Sequence, residues 1–182
     1  MEELSDREIL DLFANQATRN HAFNKVVLQY QRRIYFHIRK MVLDHDDADD
    51  ILQNVFLKAY KALDKFREDS KISTWLYKIA TNESISFLNA KKRRANVPMN
   101  GMEHTLSQNL ESDTYFTGDQ IQMKLQQAIL TLPEKQRLVF NMKYFEEMKY
   151  EEMSEILGTS VGALKASYHH AVKKIELFIK GL

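Results

Sequence analysis

Apolar residues recur along this chain at helical rather than strand spacing. Patterns near a period of 3.6 run through 5–17, 21–43, 47–64 and 71–92, and resume through 120–130, 133–145, 149–157 and 160–180. Polar breaks separate the first four at Arg19-Asn20, Asp44-His45-Asp46 and Arg67-Glu68-Asp69-Ser70. In the second block Pro133 suits a first helical turn. Residues 96–119 shift to Asn, Ser, Thr, Gly and Asp and lose the apolar period, which is the composition of a linker. The pattern therefore predicts an all-α fold with two helical domains, 1–95 and 120–182, joined by a flexible linker.

The most specific local pattern is YEEMSEILGTSVGALK, 150–165. Tyr150, Met153, Ile156 and Leu157 share one helical face, Gly158 permits the chain to end that helix, and Ser160 can cap a second one. From Val161 to Ile179, Leu164, Tyr168, Ala171, Ile175 and Phe178 form one apolar stripe that is expected to face a core. The other side carries Lys165, His169, His170, Lys173 and Lys174 among the small Gly162 and Ala166. Small residues let a helix approach a surface closely, and cations at the rim neutralise phosphates. An ordinary amphipathic helix with a solvated basic face has the same periodicity. The short Gly-Thr-Ser connection favours a helix-turn-helix whose second helix enters a DNA groove.

Composition narrows the setting. With 182 residues, 44% hydrophobic and 28% charged, the chain can build one or two real cores, and five Gly and two Pro suit a helical protein. The formal net charge is only +1, so attraction to nucleic acid must come from local clusters. No cysteine is present, which excludes disulfides and thiolate zinc sites and fits a reducing compartment. The acidic start MEELSDREIL does not resemble a signal peptide, and no apolar run has membrane-spanning length. A cytoplasmic location without direct membrane insertion is the expectation, and no cofactor motif is found.

Two clusters in the first block carry candidate chemistry. HDDADD, 45–50, reads as a metal site, as a dipole-complementing first turn ahead of Ile51, Leu52, Val55 and Phe56, or as an acidic edge for a basic protein partner. The dipole reading is the simplest. Along 66–88, Ile72, Leu76, Ile79, Ala80 and Phe87 predict a buried arc with Trp75 at its edge and Asn82 just outside. Trp75 reads as a core anchor or as a stacking platform for bases. Lys91, Lys92, Arg93 and Arg94 follow, either to answer the helix dipole or to track a nucleic-acid backbone.

Taken together, these segments resemble the extracytoplasmic-function (ECF) sigma factors of the bacterial sigma-70 family, small initiation subunits that keep only sigma regions two and four. Ala22-Phe23 with Tyr30 and Tyr35 resembles the start of region two, and DADDILQNVFLKAY, 47–60, is similar to the family's DAEDLVQEVFLRVW. STWLYKIATN, 73–82, matches the segment around the family's promoter-reading helix. LPEKQRLVFNMKYFEEMKYEEMSEILGTSVGALK, 132–165, resembles region four over its length. The motifs stand in the family's order, with only the linker uncovered.

The resemblance implies a role for each segment. Residues 1–95 would dock on core RNA polymerase and read and melt the minus-ten element, and 120–182 would read the minus-thirty-five element as duplex. The polymerase contact would use Asp47, Asp50, Gln53, Asn54 and Phe56. Capture of the unpaired minus-ten strand would fall to Phe66, Asp69, Ser70, Lys71, Ser73, Trp75, Lys78, Asn82, Lys91, Arg93 and Arg94. The minus-thirty-five helix would present Ser160, Gly162, Lys165, Ser167, His169, His170 and Lys173. An anti-sigma factor is a further partner that the resemblance allows, and catalysis is not expected.

The chain also departs from the family pattern. Ser167 and His170 stand where many members have arginine, Ala163-Leu164 replaces the usual Thr-Val, and Asn54 replaces a frequent Glu. Bidentate guanine reading by arginine is thus excluded at those positions, and the expectation shifts to phosphate contacts and shape. The linker, about 80 Å if extended and about 27 Å as a coil, must stretch to span promoter elements about 60–70 Å apart. A free chain is therefore expected to fold its two domains together and mask their DNA-binding faces. Two alternatives use less of the pattern. One is a regulator with only the C-terminal helix-turn-helix, and the other is a metal-dependent bundle enzyme around Asp46 to Asp50, which lacks the Glu-x-x-His pairs of such sites.

Overall fold

Helix boundaries fall near the expected polar breaks except at the first, where Arg19 and Asn20 open a helix and the break lies at 15–18. A computed structural model of the chain describes residues 4–66, 68–95 and 120–181, so the predicted linker, 96–119, lies outside the described residues. Among these are eight α-helices and no strand: α1 (Asp6–Ala14), α2 (Arg19–Val42), α3 (His45–Ala62), α4 (Ile72–Ala95), α5 (Gln120–Leu130), α6 (Glu134–Tyr144), α7 (Tyr150–Leu157) and α8 (Val161–Lys180). A short 3-10 turn, Leu63–Lys65, follows α3. None of these helices is long and apolar enough to cross a membrane.

The ends are set by caps that the sequence carries. Ser5 and Glu8 form a capping box on α1, Asp44 accepts from the Asp47 N–H at the start of α3, and Ser160 accepts from the Ala163 N–H at the start of α8. Gly158 ends α7 in the left-handed region at φ 62°, as the sequence predicts, because a residue without Cβ adopts that backbone without strain.

Helices α1 to α4 form the first bundle, with Ile9, Val26, Ile34, Ile38, Val55, Ile72, Leu76 and Ala80 in its interior. Helices α5, α6 and α8 enclose a smaller cluster around Ile129, Leu132, Phe140, Ala171 and Ile175. The main apolar cluster does not stop at the boundary between blocks, because Met142, Met148, Met153, Ile156 and Leu164 join it from the second block. Helix α7 packs along α4, and α6 meets α2.

That packing explains where the helical wheels mislead. Ile72, Leu76 and Ala80 are buried as expected, but Ile79 and Phe87 are only half-buried while Tyr77, Thr81, Ser84 and Leu88 are buried. Helix α4 is covered by α2 and α3 on one side and by α7 on another, so no single arc describes it. In α8, Leu164, Ala171 and Ile175 are buried, but Phe178 remains 37% exposed beyond the cluster's edge.

Candidate nucleic-acid interface

The recognition face of α8 is open. Ser160, Gly162, Lys165, His169, His170 and Lys173 are exposed, and Ser167 is half-buried. A Cβ built on Gly162 meets nothing within 4 Å, so its missing side chain is not required by packing inside the chain. The Lys165 ammonium lies 5.8 Å from the centre of the Tyr150 ring, which leads it from α8 toward the start of α7. The expected masking therefore does not extend to this helix.

A concave site lies at the other end of the first bundle, where the segment 66–71 enters α4. Its volume is about 470 Å³, and the predicted residues Phe66, Ser70 and Lys71 line it with Thr74. Helix α1 supplies another wall through Ser5, Asp6, Arg7 and Leu10. Glu152 and Glu155 of α7 close the cavity from the second block, and Glu152 Oε1 accepts a hydrogen bond from Lys71 Nζ at 3.2 Å. The same Glu152 turns its other oxygen to the Lys149 N–H at the start of α7. A carboxylate thus occupies the place beside Lys71 that a phosphate would want.

The remaining predicted minus-ten residues are distributed differently. Trp75 is half-buried and packs on Phe66, ring centres 5.3 Å apart, and against the Phe13, Ala22 and Leu63 cluster. Its packing there is that of an anchor at the edge of the core. Asp69, Lys78, Asn82, Arg93 and Arg94 are exposed along the loop and α4, and Ser73 lines a separate crevice between the blocks. Lys91 donates to Asp47 of α3, and its ammonium lies 5.8 Å from the Phe87 ring centre.

That bond divides the expected polymerase edge. Asp50, Gln53 and Asn54 are exposed on α3, whereas Asp47 is turned against Lys91 and Phe56, 9% exposed, packs edge-on against Phe23. Leu57, one turn beyond Gln53, is 59% exposed and extends the edge with an apolar side chain that the sequence reading missed. Its position off the buried arc of Ile51, Val55 and Ala59 was the available signal. Among the described residues no group of three or more His, Asp or Glu is placed to hold a metal, so the carboxylates of 45–50 do not converge. Asp44 and Asp47 serve the helix start instead.

A polar node joins the two blocks. Glu146, between α6 and α7, reaches His37 of α2, with Oε1 at 3.0 Å from Nδ1, while His37 Nε2 meets Thr81 Oγ1 of α4 at 2.9 Å. Lys40 Nζ stands 3.9 Å from the same carboxylate and 5.1 Å from the Phe145 ring centre. Burial pushes the Glu146 carboxyl up, but His37, Lys40 and the Tyr77 hydroxyl outweigh it and hold it below the ordinary carboxylate range. The adjoining Glu147 sits in the left-handed region at φ 50°, an uncommon place for a non-glycine residue, which helps aim the loop. Sequence reasoning missed this node because His37 and Glu146 are 109 positions apart.

Among the described residues the chain is all-helical and carries two unlike surfaces, an open basic helix face on α8 and a separate cavity where Arg7 and Lys71 stand among carboxylates. Comparison with known proteins specifies the class. Residues 26–94 match the family model for Sigma-70 region 2, and residues 122–175 match that for Sigma-70, region 4. The RNA polymerase sigma-H factor of Pseudomonas aeruginosa is 32% identical over 169 residues, covering 88% of each chain. The ECF RNA polymerase sigma-E factor of Escherichia coli is 29% identical over 185 aligned positions, covering 96% of this chain and 94% of that one. Among solved structures, the sigma factor RpoE from Bartonella quintana, in complex with the anti-sigma factor NepR, aligns over 87% of this chain and 96% of its own at TM-score 0.67 and 20% identity. CnrH, in complex with the cytosolic domain of CnrY, aligns over 97% of both at TM-score 0.69 and 22% identity. The chain belongs to the sigma-70 family and is a sigma factor of the ECF type.

Proposed function

We propose that this chain binds core RNA polymerase, directs it to a defined set of promoters and holds the melted strand at initiation, acting by binding and not by catalysis, in the cytoplasm where polymerase works. Residues 1–95 act as region two and 120–182 as region four, with 96–119 as the tether. The observation that carries this reading is the pairing of two unlike surfaces on the two matched regions. The open face of α8 suits a duplex groove, and the cavity beside Phe66 and Lys71 suits one unstacked nucleotide.

In this reading Lys165, His169, His170 and Lys173 contact the minus-thirty-five duplex, with Gly162 at closest approach. Extruding a base costs a few kcal/mol, which contacts in the cavity by Phe66, Ser70 and Lys71 offset. Asp50, Gln53 and Asn54, joined by Leu57, form the polymerase edge. Of the two related structures, one is a complex with an anti-sigma factor and the other with the cytosolic domain of CnrY, and an anti-sigma factor is proposed as a partner here as well.

The test is reconstitution. Purified chain added to core polymerase, with transcription from a genomic library mapped by start site, is expected to give a limited set of enriched starts sharing two elements. Absence of core binding and of start-site enrichment would reject the proposal, and tight duplex binding without core would favour a regulator using only the helix-turn-helix.

A further inference from the structure

Helix α1 lies outside both matched segments, which begin at residue 26 and residue 122, yet it forms one wall of the cavity at the entrance to α4. Its placement is rigid. Ile9 and Phe13 are buried in the bundle, and the Ser5–Glu8 capping box fixes the first turn. From that turn Asp6 Oδ2 accepts a hydrogen bond from the Ile72 N–H at 2.8 Å, 66 positions away, while Oδ1 lies 3.5 Å from the Tyr30 hydroxyl. Helix α4 has no acidic residue in its own first turn, so Asp6 serves its open N-terminus from another helix.

Arg7, the next residue, is exposed, lines the cavity and forms no ion pair among the described residues. A cation in the first turn of a helix opposes the helix dipole, so the charge of Arg7 does not serve the start of α1. With Lys71 it sets two cations at the rim of one cavity, with Phe66 as an apolar wall. The acidic groups facing them are Asp6, committed to Ile72, Glu68 of the loop, and Glu152 and Glu155 of α7. When α7 moves away, the last two leave with it, the net negative charge of the lining is relieved, and Arg7 and Lys71 face only Asp6 and Glu68.

We propose that α1 is part of the minus-ten strand-capturing device: Arg7 contacts a backbone phosphate of the unpaired strand, and Asp6 is a positioning residue that holds the start of α4 and the loop before it in the capturing shape. This deepens the proposed function and rests on it.

The test uses holoenzyme assembled from core polymerase and the full-length chain, and a fluorescent single-stranded oligonucleotide carrying the non-template minus-ten sequence of a promoter mapped by start site. Arg7→Ala is expected to weaken strand binding about tenfold and to reduce the slope of log affinity against log salt by about 0.7, the share of one phosphate on a single strand. Arg7→Lys should retain most of the binding, since a phosphate accepts a point charge. Asp6→Asn keeps an acceptor for Ile72 and should bind the strand nearly as wild type, whereas Asp6→Ala should lose capture and speed hydrogen exchange at the Ile72 amide. Equal affinity and salt slope for wild type and Arg7→Ala would overturn the phosphate contact, as would an equal loss in Arg7→Lys. Wild-type exchange at Ile72 in Asp6→Ala would overturn the positioning role. A wild-type holoenzyme that forms but captures no strand strikes at the minus-ten reading itself, and this inference falls with it.

Discussion

At Gly162 stability and recognition pull in opposite directions. Glycine inside a helix costs about 0.5–1 kcal/mol relative to alanine, and nothing in the chain would meet the added methyl group. Gly162→Ala is therefore expected to raise the stability of the second block by about that amount in denaturant titration, while weakening minus-thirty-five duplex binding by the loss of close approach. Unchanged duplex affinity would remove Gly162 from the DNA interface. His169 and His170 are exposed on the same face where arginine is absent. His170→Arg is expected to tighten duplex binding and steepen its salt dependence, because it adds a permanent charge beside the groove.

Helix α3 has two unlike faces. Its inner face holds Ile51, Val55 and Ala59 in the core, and its outer face presents Asp50, Gln53, Asn54 and Leu57. Leu57→Lys is expected to leave the melting temperature unchanged and to weaken core polymerase binding at least severalfold in a competition assay. Surface substitutions away from special contacts change stability by about 0.5 kcal/mol or less. Element positions were readable from the chain because each helix has caps and breaks of its own: Ser5, Asp44, Gly158 and Ser160 act on residues within four positions. Burial on α4 was not readable, since Thr81 and Ser84 are covered by elements distant in sequence and carry no apolar signature. The open face of α8 was legible for the opposite reason, as it is defined by what it does not touch. The contribution of α1 to the cavity left no periodic trace, because Asp6 looks like any acid in a first turn.

Across the whole molecule, closure rests on the shared apolar cluster and on the buried carboxylate between the blocks. Breaking such a pair by removing one partner typically costs about 3 kcal/mol or more, so Glu146→Ala should shift the free chain toward separated domains, seen as a larger radius of gyration in solution scattering. The pH dependence has a defined sign. Glu146 titrates below the ordinary carboxylate value of 4.5 in the closed chain, so its contribution is complete above that value and is lost as pH falls through the depressed one. Scattering as the pH falls below the ordinary carboxylate range should therefore show opening, and Glu146→Ala should abolish that step. The Lys71–Glu152 pair is largely solvent-exposed and contributes under about 1 kcal/mol to closure. Reversing it in the double variant Lys71→Glu, Glu152→Lys should restore closure lost in either single variant without restoring strand capture, which separates the mask from the reader.

Glu152 beside Lys71 has one more consequence, which belongs to thermodynamic linkage. In the proposed function a strand that takes Lys71 displaces Glu152 and so favours the parted form, and if core polymerase also needs the blocks apart the two ligands draw on the same equilibrium. Each ligand then raises the affinity of the other by an identical factor, set by how far closure is favoured in the free chain. A protein that grips the closed form antagonises both without touching either binding face. The balance between closed and parted forms thus sets, at once, the cooperativity of the two ligands and the leverage available to an inhibitor.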